Sequence, residues 1–172
     1  MDDGAPMDDE ALLTFALALP LAGSDDVKTA SGRLRRVERA DADVIGNLYW
    51  LAYPPGIAAC DLQDAIADIH ATFDGKYGAF WPEGSFVVEV DRTVVGVALT
   101  VWRAPWAGTP DGPFVVELFT DPGRRRRGYA KQLLAAVATA ASMVGEDMIG
   151  LRVDASNAPA LNLYRSLGFH EI

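Results

Sequence analysis

One cysteine, Cys60, and two histidines are all that this 172-residue chain has of thiol and imidazole side chains. A lone thiol cannot form a disulfide within the chain, so a packed core must hold the fold together. No spacing of His, Cys or carboxylates suggests a metal site. His70 reads as a helix-surface residue, and His170 lies in the last strand. Long hydrophobic runs are also missing. The longest, Ala11 to Ala22, is interrupted by Thr14 and Pro20 and is well short of the roughly 20 residues that cross a bilayer. Its flank, Met1 to Glu10, is acidic where a secretory signal begins basic. These absences predict a soluble, cytoplasmic chain with no membrane partner. Half the residues are hydrophobic and 23% are charged, which excludes general disorder and fits one domain with one core.

Positive charge is scarce. Fifteen Lys and Arg face 24 Asp and Glu, a net −9, and this argues against a broad nucleic-acid interface. Seven acids in residues 1–31 (Asp2, Asp3, Asp8, Asp9, Glu10, Asp25, Asp26) stand against Lys28 alone, so most of the excess lies in an acidic leader. The domain proper is then 32–172. Within the leader, Leu13, Phe15, Leu17, Leu19 and Leu21 recur with the period of a strand, which predicts one extra edge strand. Against this acidic background, Arg124 to Arg127 form the one concentrated positive site. A solvated charge run would explain them, and so would an anion.

Periodicity and breakers give the remaining elements. Arg33 to Glu38 reads as a strand, and Asp41 caps a helix carrying Val44, Ile45, Leu48, Trp50 and Leu51 that Pro54-Pro55 stops. Asp61 to Phe73 is a second helix with Leu62, Ala65, Ile66 and Ile69 inward and Asp64 and Asp68 outward. Asp74 to Gly84 is turn-rich. Ser85 to Val90 and Thr93 to Trp102 read as an antiparallel hairpin across Asp91-Arg92. An irregular loop runs from Arg103 to Pro113, a strand from Phe114 to Thr120, and a helix from about Gly128 to Val144. Ile149 to Val153 is a strand, Asn157 to Leu167 a helix closed by Gly168, and Phe169 to Ile172 a last strand. This order predicts an α/β (α+β) domain with a mixed sheet and helices on its faces.

The passage from Phe114 to Val144 carries the chemistry. A strand runs through Asp121-Pro122-Gly123 and the arginines into a helix start, where unpaired backbone N–H groups and the dipole favour an anion such as phosphate. Gly128 lets a ligand approach the backbone, Ala130 is nearly as small, and Arg125 and Arg127 add charged donors. No Gly-Lys-Ser/Thr follows a glycine-rich loop, which disfavours a nucleotide P-loop.

The run Arg125-Arg126-Arg127-Gly128-Tyr129-Ala130 resembles the Arg/Gln-x-x-Gly-x-Gly/Ala signature of the GNAT superfamily of N-acetyltransferases. Downstream, Asn157-Ala158-Pro159-Ala160-Leu161-Asn162-Leu163-Tyr164-Arg165-Ser166-Leu167-Gly168-Phe169 is similar to that family's Asn-x-x-Ala-x-x-Leu-Tyr-x-x-x-Gly-Phe segment. The two motifs come in order with a strand between them, and the resemblance covers roughly Arg33 to Ile172. Arg126 departs from the pattern where glycine is frequent, and Ala130 where glycine is commonest. The chain also stops four residues after Gly168, where the family usually continues through another strand; Leu13 to Leu21 could fill that edge within the chain or from a second subunit of a homodimer.

The resemblance implies a mostly antiparallel sheet flanked by helices on both faces, with acetyl-CoA as cosubstrate. It also implies that the amides and arginines at Arg125 to Ala130, Tyr129 included, hold the pyrophosphate. The backbone of Leu118, Phe119 and Thr120 pairs with the pantetheine arm where two strands splay. Tyr164 reaches the sulfur and protonates the leaving thiolate, with simple packing as the alternative. Asn157, two turns earlier on the same side, contacts the arm, caps its helix, or both. An attacking amine is mostly protonated at pH 7 and needs a base. Glu117, a carboxylate inside an apolar strand, is the best candidate, though it could be merely ion-paired; Asp154, Glu89 and a water chain are weaker alternatives. Tyr49, Trp50, Tyr53, Tyr77, Phe80 and Trp81, with Asp61, Asp64 and Asp68, would line the pocket for a small-molecule or peptide amine. The competing reading is a noncatalytic acyl-CoA-binding or association module on the same fold.

Overall fold

The computed structural model describes residues 12–21, 31–54 and 56–172. The acids of the leader, its Lys28 and Pro55 lie outside the described residues. The strands are β1 Leu12–Ala18, β2 Arg33–Arg36, β3 Ala79–Phe80, β4 Phe86–Val90, β5 Thr93–Trp102, β6 Pro113–Thr120, β7 Met148–Asp154 and β8 His170–Glu171. The helices are α1 Ala42–Ala52, α2 Leu62–Phe73, α3 Tyr129–Met143 and α4 Ala158–Ser166. Among the described residues the strands make one sheet in the order β2-β4-β5-β6-β7-β1-β8, with the short β3 added against β5. Every pairing is antiparallel except β6 with β7. None of the described helices is long and apolar enough to cross a membrane.

The N-terminal strand is an interior strand, which corrects its assignment to an edge. β1 pairs with β7 over its whole length, Leu12 opposite Asp154 to Ala18 opposite Met148. Its other side takes β8 through Phe15 and Ala16. The reason is apolarity: Phe15, Ala16 and Leu17 are all buried, a pattern of a strand covered on both faces rather than an alternating edge.

Two cores lie on the two faces of the sheet. One side holds Ala42, Ile45, Leu48 and Tyr49 of α1 and Ala65, Ile69 and Phe73 of α2 against Val87, Val97, Leu99 and Phe119. The other holds Leu133, Leu134, Val137 and Ala141 of α3 and Leu161 and Tyr164 of α4 against Val88, Val95, Val115, Leu151 and Phe15. Of the apolar residues that α1 carries, Val44 and Leu51 are exposed; the buried stripe runs through Ile45, Leu48, Tyr49 and Ala52. Asp41 occupies the N-cap of α1 without capping it. Its carboxylate instead accepts both Arg35 terminal nitrogens at 2.7 and 2.8 Å and the Glu38 N–H at 2.8 Å. Asp61 does cap α2, accepting from the Asp64 N–H at 2.8 Å.

Candidate active site

β6 and β7 are hydrogen-bonded neighbours only at Phe114–Gly150 and Val115–Leu151. Beyond these residues they part. On the other side of β6 the register with β5 slips, Leu99 facing Glu117 but Thr100 facing Val115, so Val116 is an extra residue. Such a bulge bends its strand, and it falls where β7 leaves. The sheet therefore opens from Val116 onward.

Main-chain groups in the opening follow from antiparallel alternation. Asp121 N–H donates to Val95 O at 2.9 Å, which makes Val97–Phe119 and Leu99–Glu117 bonded pairs and turns the N–H and C=O of Leu118 and Thr120 toward the open side. Phe119 differs from its neighbours: the residue borders the opening, but its backbone belongs to the ladder with Val97, and its buried ring packs against Tyr49 and Tyr53 at 5.4 and 6.2 Å.

One groove, of about 1090 Å³, runs from this opening along Leu118, Thr120 and Arg124 to Lys131, with Asn157, Asn162 and Tyr164 opposite. Gly128 at the N-cap of α3 has φ 85° and carries no capping side chain, so the first amides of the helix have no partner among the described residues. Arg126 and Arg127 border the groove and are exposed. Arg125 also borders it, but its Nη2 donates to Ala52 O at 2.7 Å, which ties the loop to the end of α1. The Tyr129 side chain is buried in the core beneath the loop, leaving only its N–H for a ligand.

Arg126 stands at φ 61°, a left-handed conformation that costs a residue with a Cβ about 1–2 kcal/mol. Comparing Arg126→Gly with Arg126→Ala removes the guanidinium from both and isolates the backbone. The glycine variant is expected to be the more stable by about 1 kcal/mol in urea unfolding; equal midpoints would show that the loop carries no such strain.

A second cavity, of about 670 Å³, lies on the α1–α2 side of the opening. Its wall includes Tyr49, Tyr53, Asp64, Asp68, Tyr77, Trp106, Glu117 and Arg152, and it shares Tyr53, Leu118, Asn157, Ala160 and Tyr164 with the groove. Burial, then the negative charge of Asp68, pushes Glu117 up to about 8, while the hydroxyls of Tyr49 and Tyr53 pull it back. Tyr164 is pushed up to about 12, by burial first and Glu117 second, so its phenol holds its proton at neutral pH. Burial likewise raises Tyr49 and Tyr53. Asp68 Oδ1 accepts both Lys76 Nζ and Tyr77 OH at 2.7 Å. A carboxyl of raised pKa, Glu117, thus lines the cavity, and a protonated phenol, Tyr164, lies where the cavity meets the groove.

Residues 43–169 match the acetyltransferase (GNAT) family. This chain belongs to the GNAT family. It is 29% identical over 147 residues to an N-alpha-acetyltransferase of Sulfurisphaera tokodaii, covering 81% of each chain. It is 37% identical over 92 residues to a mycothiol acetyltransferase of Thermobispora bispora, over 52% of this chain and 31% of that protein, so it spans less than a third of that relative. Among solved structures, an aminoglycoside N-acetyltransferase in complex with CoA superposes with a TM-score of 0.64 at 21% identity, covering 84% of this chain and 91% of that one.

Several GNAT site expectations need revision. Trp50, Phe80 and Trp81 do not line the cavity; Trp81 is buried against Trp102 at 4.5 Å and Phe80 packs on Phe73 at 4.7 Å. Of the three acids expected along the pocket, Asp64 and Asp68 line the cavity and Asp61, which caps α2, does not. Glu89 is ion-paired with Arg35 at 2.8 Å on the far strand β4. Asp154 lines the cavity, but hydrogen bonds from Ser156 hold it below the usual carboxylate range. His70 pairs with Asp43 on the surface. Asn157 Oδ1 caps α4 through the Ala160 N–H at 3.2 Å and also borders both cavities. Sequence reasoning missed Leu12, Trp106 and Arg152 in the cavity and Lys131 in the groove. Lys131 was within reach, as the first-turn neighbour of the arginine motif; the others come from distant segments with no shared spacing.

Proposed function

We propose that this chain transfers an acetyl group from acetyl-CoA to a primary amine of a small molecule, by direct attack in a ternary complex. The observation that carries the reading is the meeting of the two cavities at Tyr53, Leu118, Asn157, Ala160 and Tyr164, with Glu117 on one side and the uncapped start of α3 on the other. The structural relative crystallised with CoA, and the same protein in complex with a bisubstrate analogue of CoA and acetylneamine, support acetyl-CoA as cosubstrate and a small-molecule amine as acceptor.

The bound thioester supplies an activated acyl group. The protein's part begins with the amides of Gly128 to Lys131, which would hold the diphosphate with Arg126 and Arg127. Leu118 and Thr120 offer main-chain groups to the pantetheine amides, extending the broken ladder. Glu117 takes the proton of the acceptor ammonium, and the amine nitrogen then forms its bond to the carbonyl carbon as the C–S bond breaks. Tyr164 donates its phenolic proton to the departing sulfur and recovers one from the nitrogen, which sheds its second proton as the amide forms, while the proton on Glu117 leaves to solvent. Leu118 borders both cavities, and its N–H is the donor we assign to the oxyanion, an interaction typically worth about 2.7–4 kcal/mol.

The test is calorimetry with acetyl-CoA followed by thiol release over tyramine, phenethylamine, 1,5-diaminopentane and lysine amide. Saturable binding with amine-dependent thiol release is expected. Binding without turnover on any acceptor would favour a noncatalytic acyl-CoA-binding module, and no binding would overturn the cofactor assignment.

A further inference from the structure

The loop at 103–112 runs beside the acceptor cavity and contributes Trp106 to its wall. Within the loop, Thr109 Oγ1 donates to the carbonyls of Ala104 and Trp106 at 3.2 and 2.8 Å, and Arg103 pairs with Asp111 across its base. What fixes the loop to the sheet is β7. Gly150 lies so close to Pro110 that a Cβ there would come within 2.5 Å of the Pro110 ring. Two residues on, on the same face of the strand, Arg152 reaches the loop as well. Its Nη2 donates to Ala107 O at 2.6 Å, and its guanidinium lies 5.4 Å from the centre of the Trp106 ring. Its Nε donates to Thr14 Oγ1 at 3.2 Å, and Thr14 sits directly opposite Arg152 in the β1–β7 register.

Trp106 in turn touches the other aromatic walls, Tyr77 at 6.0 Å and Phe114 at 5.8 Å. Tyr77 donates its hydroxyl to Asp68 at 2.7 Å. A line of contacts therefore runs from the N-terminal strand through Arg152, Trp106 and Tyr77 to the carboxylate facing Glu117. Leu12, from the same N-terminal strand, is itself in the wall.

We infer that Arg152 is a positioning residue for the acceptor amine: braced on Thr14, it holds Ala107 and Trp106 so that the 103–112 loop forms a fixed wall of the acceptor cavity. The inference rests on the acyl-transfer reading for its kinetic consequence, though not for its structural one. The wall lies on the acceptor side, away from the diphosphate groove, and it contacts the part of the acceptor that does not react. Loss of such contact weakens the ground state and the transition state alike, and this raises KM rather than lowering kcat. A guanidinium with donors in a fixed fork can serve two oxygens while staying over a ring, and a lysine ammonium cannot do all three.

The experiment compares Arg152→Ala, Arg152→Lys and Thr14→Ala with the unsubstituted chain. Acceptor KM for the best amine of the panel is expected to rise at least tenfold in R152A, with kcat within threefold and the acetyl-CoA Kd unchanged. R152K should fall between, and T14A should show a smaller rise of the same kind. Amide hydrogen exchange provides a readout that needs no turnover: residues 104–109 should exchange at least tenfold faster in R152A, with the core of α3 unchanged. Unchanged loop exchange, or an acceptor KM unaltered in a folded R152A, would overturn the inference. If the unsubstituted chain binds acetyl-CoA but acetylates no amine, the acyl-transfer reading fails, and exchange alone then decides whether Arg152 holds the wall.

Discussion

Glu117→Gln is expected to lower kcat/KM by about 10²–10⁴ at pH 8, the range for a positioned general base, while the acetyl-CoA Kd stays within twofold. The pH profile is the sharper reading. A base works ionised, so with Glu117 at about 8 the rate should climb tenfold per pH unit below that value and level off above it. The other groups facing it cannot produce this limb: Tyr49 and Tyr53 from α1 and Tyr164 from α4 are all raised from their ordinary value. Asp68 from α2 contributes a standing negative charge. The acceptor's own ammonium, near 10 for a lysine-like amine, carries the proton that Glu117 takes, so it adds no rising limb while the base is present. E117Q should therefore replace the limb near 8 with one about two units higher, where the amine loses its proton to water. A surviving limb near pH 8 would move the base to another group.

The same carboxyl should cost stability, with a definite sign. Its folded value lies above the unfolded one, so between about 4.5 and 8 the native state holds a proton that the unfolded state has released, and stability falls as pH rises through that window. E117Q lacks this slope and should be the more stable protein above pH 8 while being the less active one. That opposition, activity lost and stability gained, separates a functional carboxylate from a structural ion pair, whose removal would lower both.

The groove proposed for the cosubstrate was readable in the sequence because it is built locally. Arg125 to Ala130 and the turn before them form one continuous strand-loop-helix, and Asn157 and Tyr164 share one helix face at fixed spacing. Glu117 stood out for a similar reason, a charge in an otherwise apolar strand. The acceptor side is assembled differently. Asp68 comes from α2, Tyr77 from the turn after it, Trp106 from an irregular loop, Arg152 from β7 and Leu12 from the N-terminal strand. Periodicity could assign Asp68 to a helix but not tell a surface carboxylate from one facing a cavity, since both lie opposite the buried stripe. Phe119 and Arg125 show the complementary limit. Arg125 opens the motif and Phe119 lies in the strand before it, but the backbone of Phe119 pairs with Val97 and Nη2 of Arg125 with Ala52 O, and only the register and the fold of the loop reveal it.

Phe15→Ala is expected to destabilise the protein by about 3–5 kcal/mol, the usual cost of emptying an aromatic site in a core. Phe15 is 1% exposed, in a strand hydrogen-bonded on both sides, and its ring lies 6.4 Å from that of Tyr164 and 5.9 Å from the Arg165 guanidinium. Urea unfolding measures the loss, with Leu51→Ala, at an exposed position on α1, expected to stay within about 0.5 kcal/mol as the control. Removing residues 1–21 goes further, because it strips β1 from between β7 and β8, leaves β7 as a bare edge and takes away the only described strand that β8 pairs with. The buried area lost is large against the about 5–15 kcal/mol by which whole domains are stable, so the truncated chain should yield no folded monomer and should aggregate through the exposed edge. A soluble, cooperatively unfolding truncated monomer would mean that β1 is an accessory to the sheet. The two experiments together bear on function, since Phe15 backs Tyr164 on one face of the sheet while Leu12 and Thr14 of the same strand serve the acceptor cavity: a single N-terminal strand would then support both the acid that releases the thiolate and the wall that receives the amine.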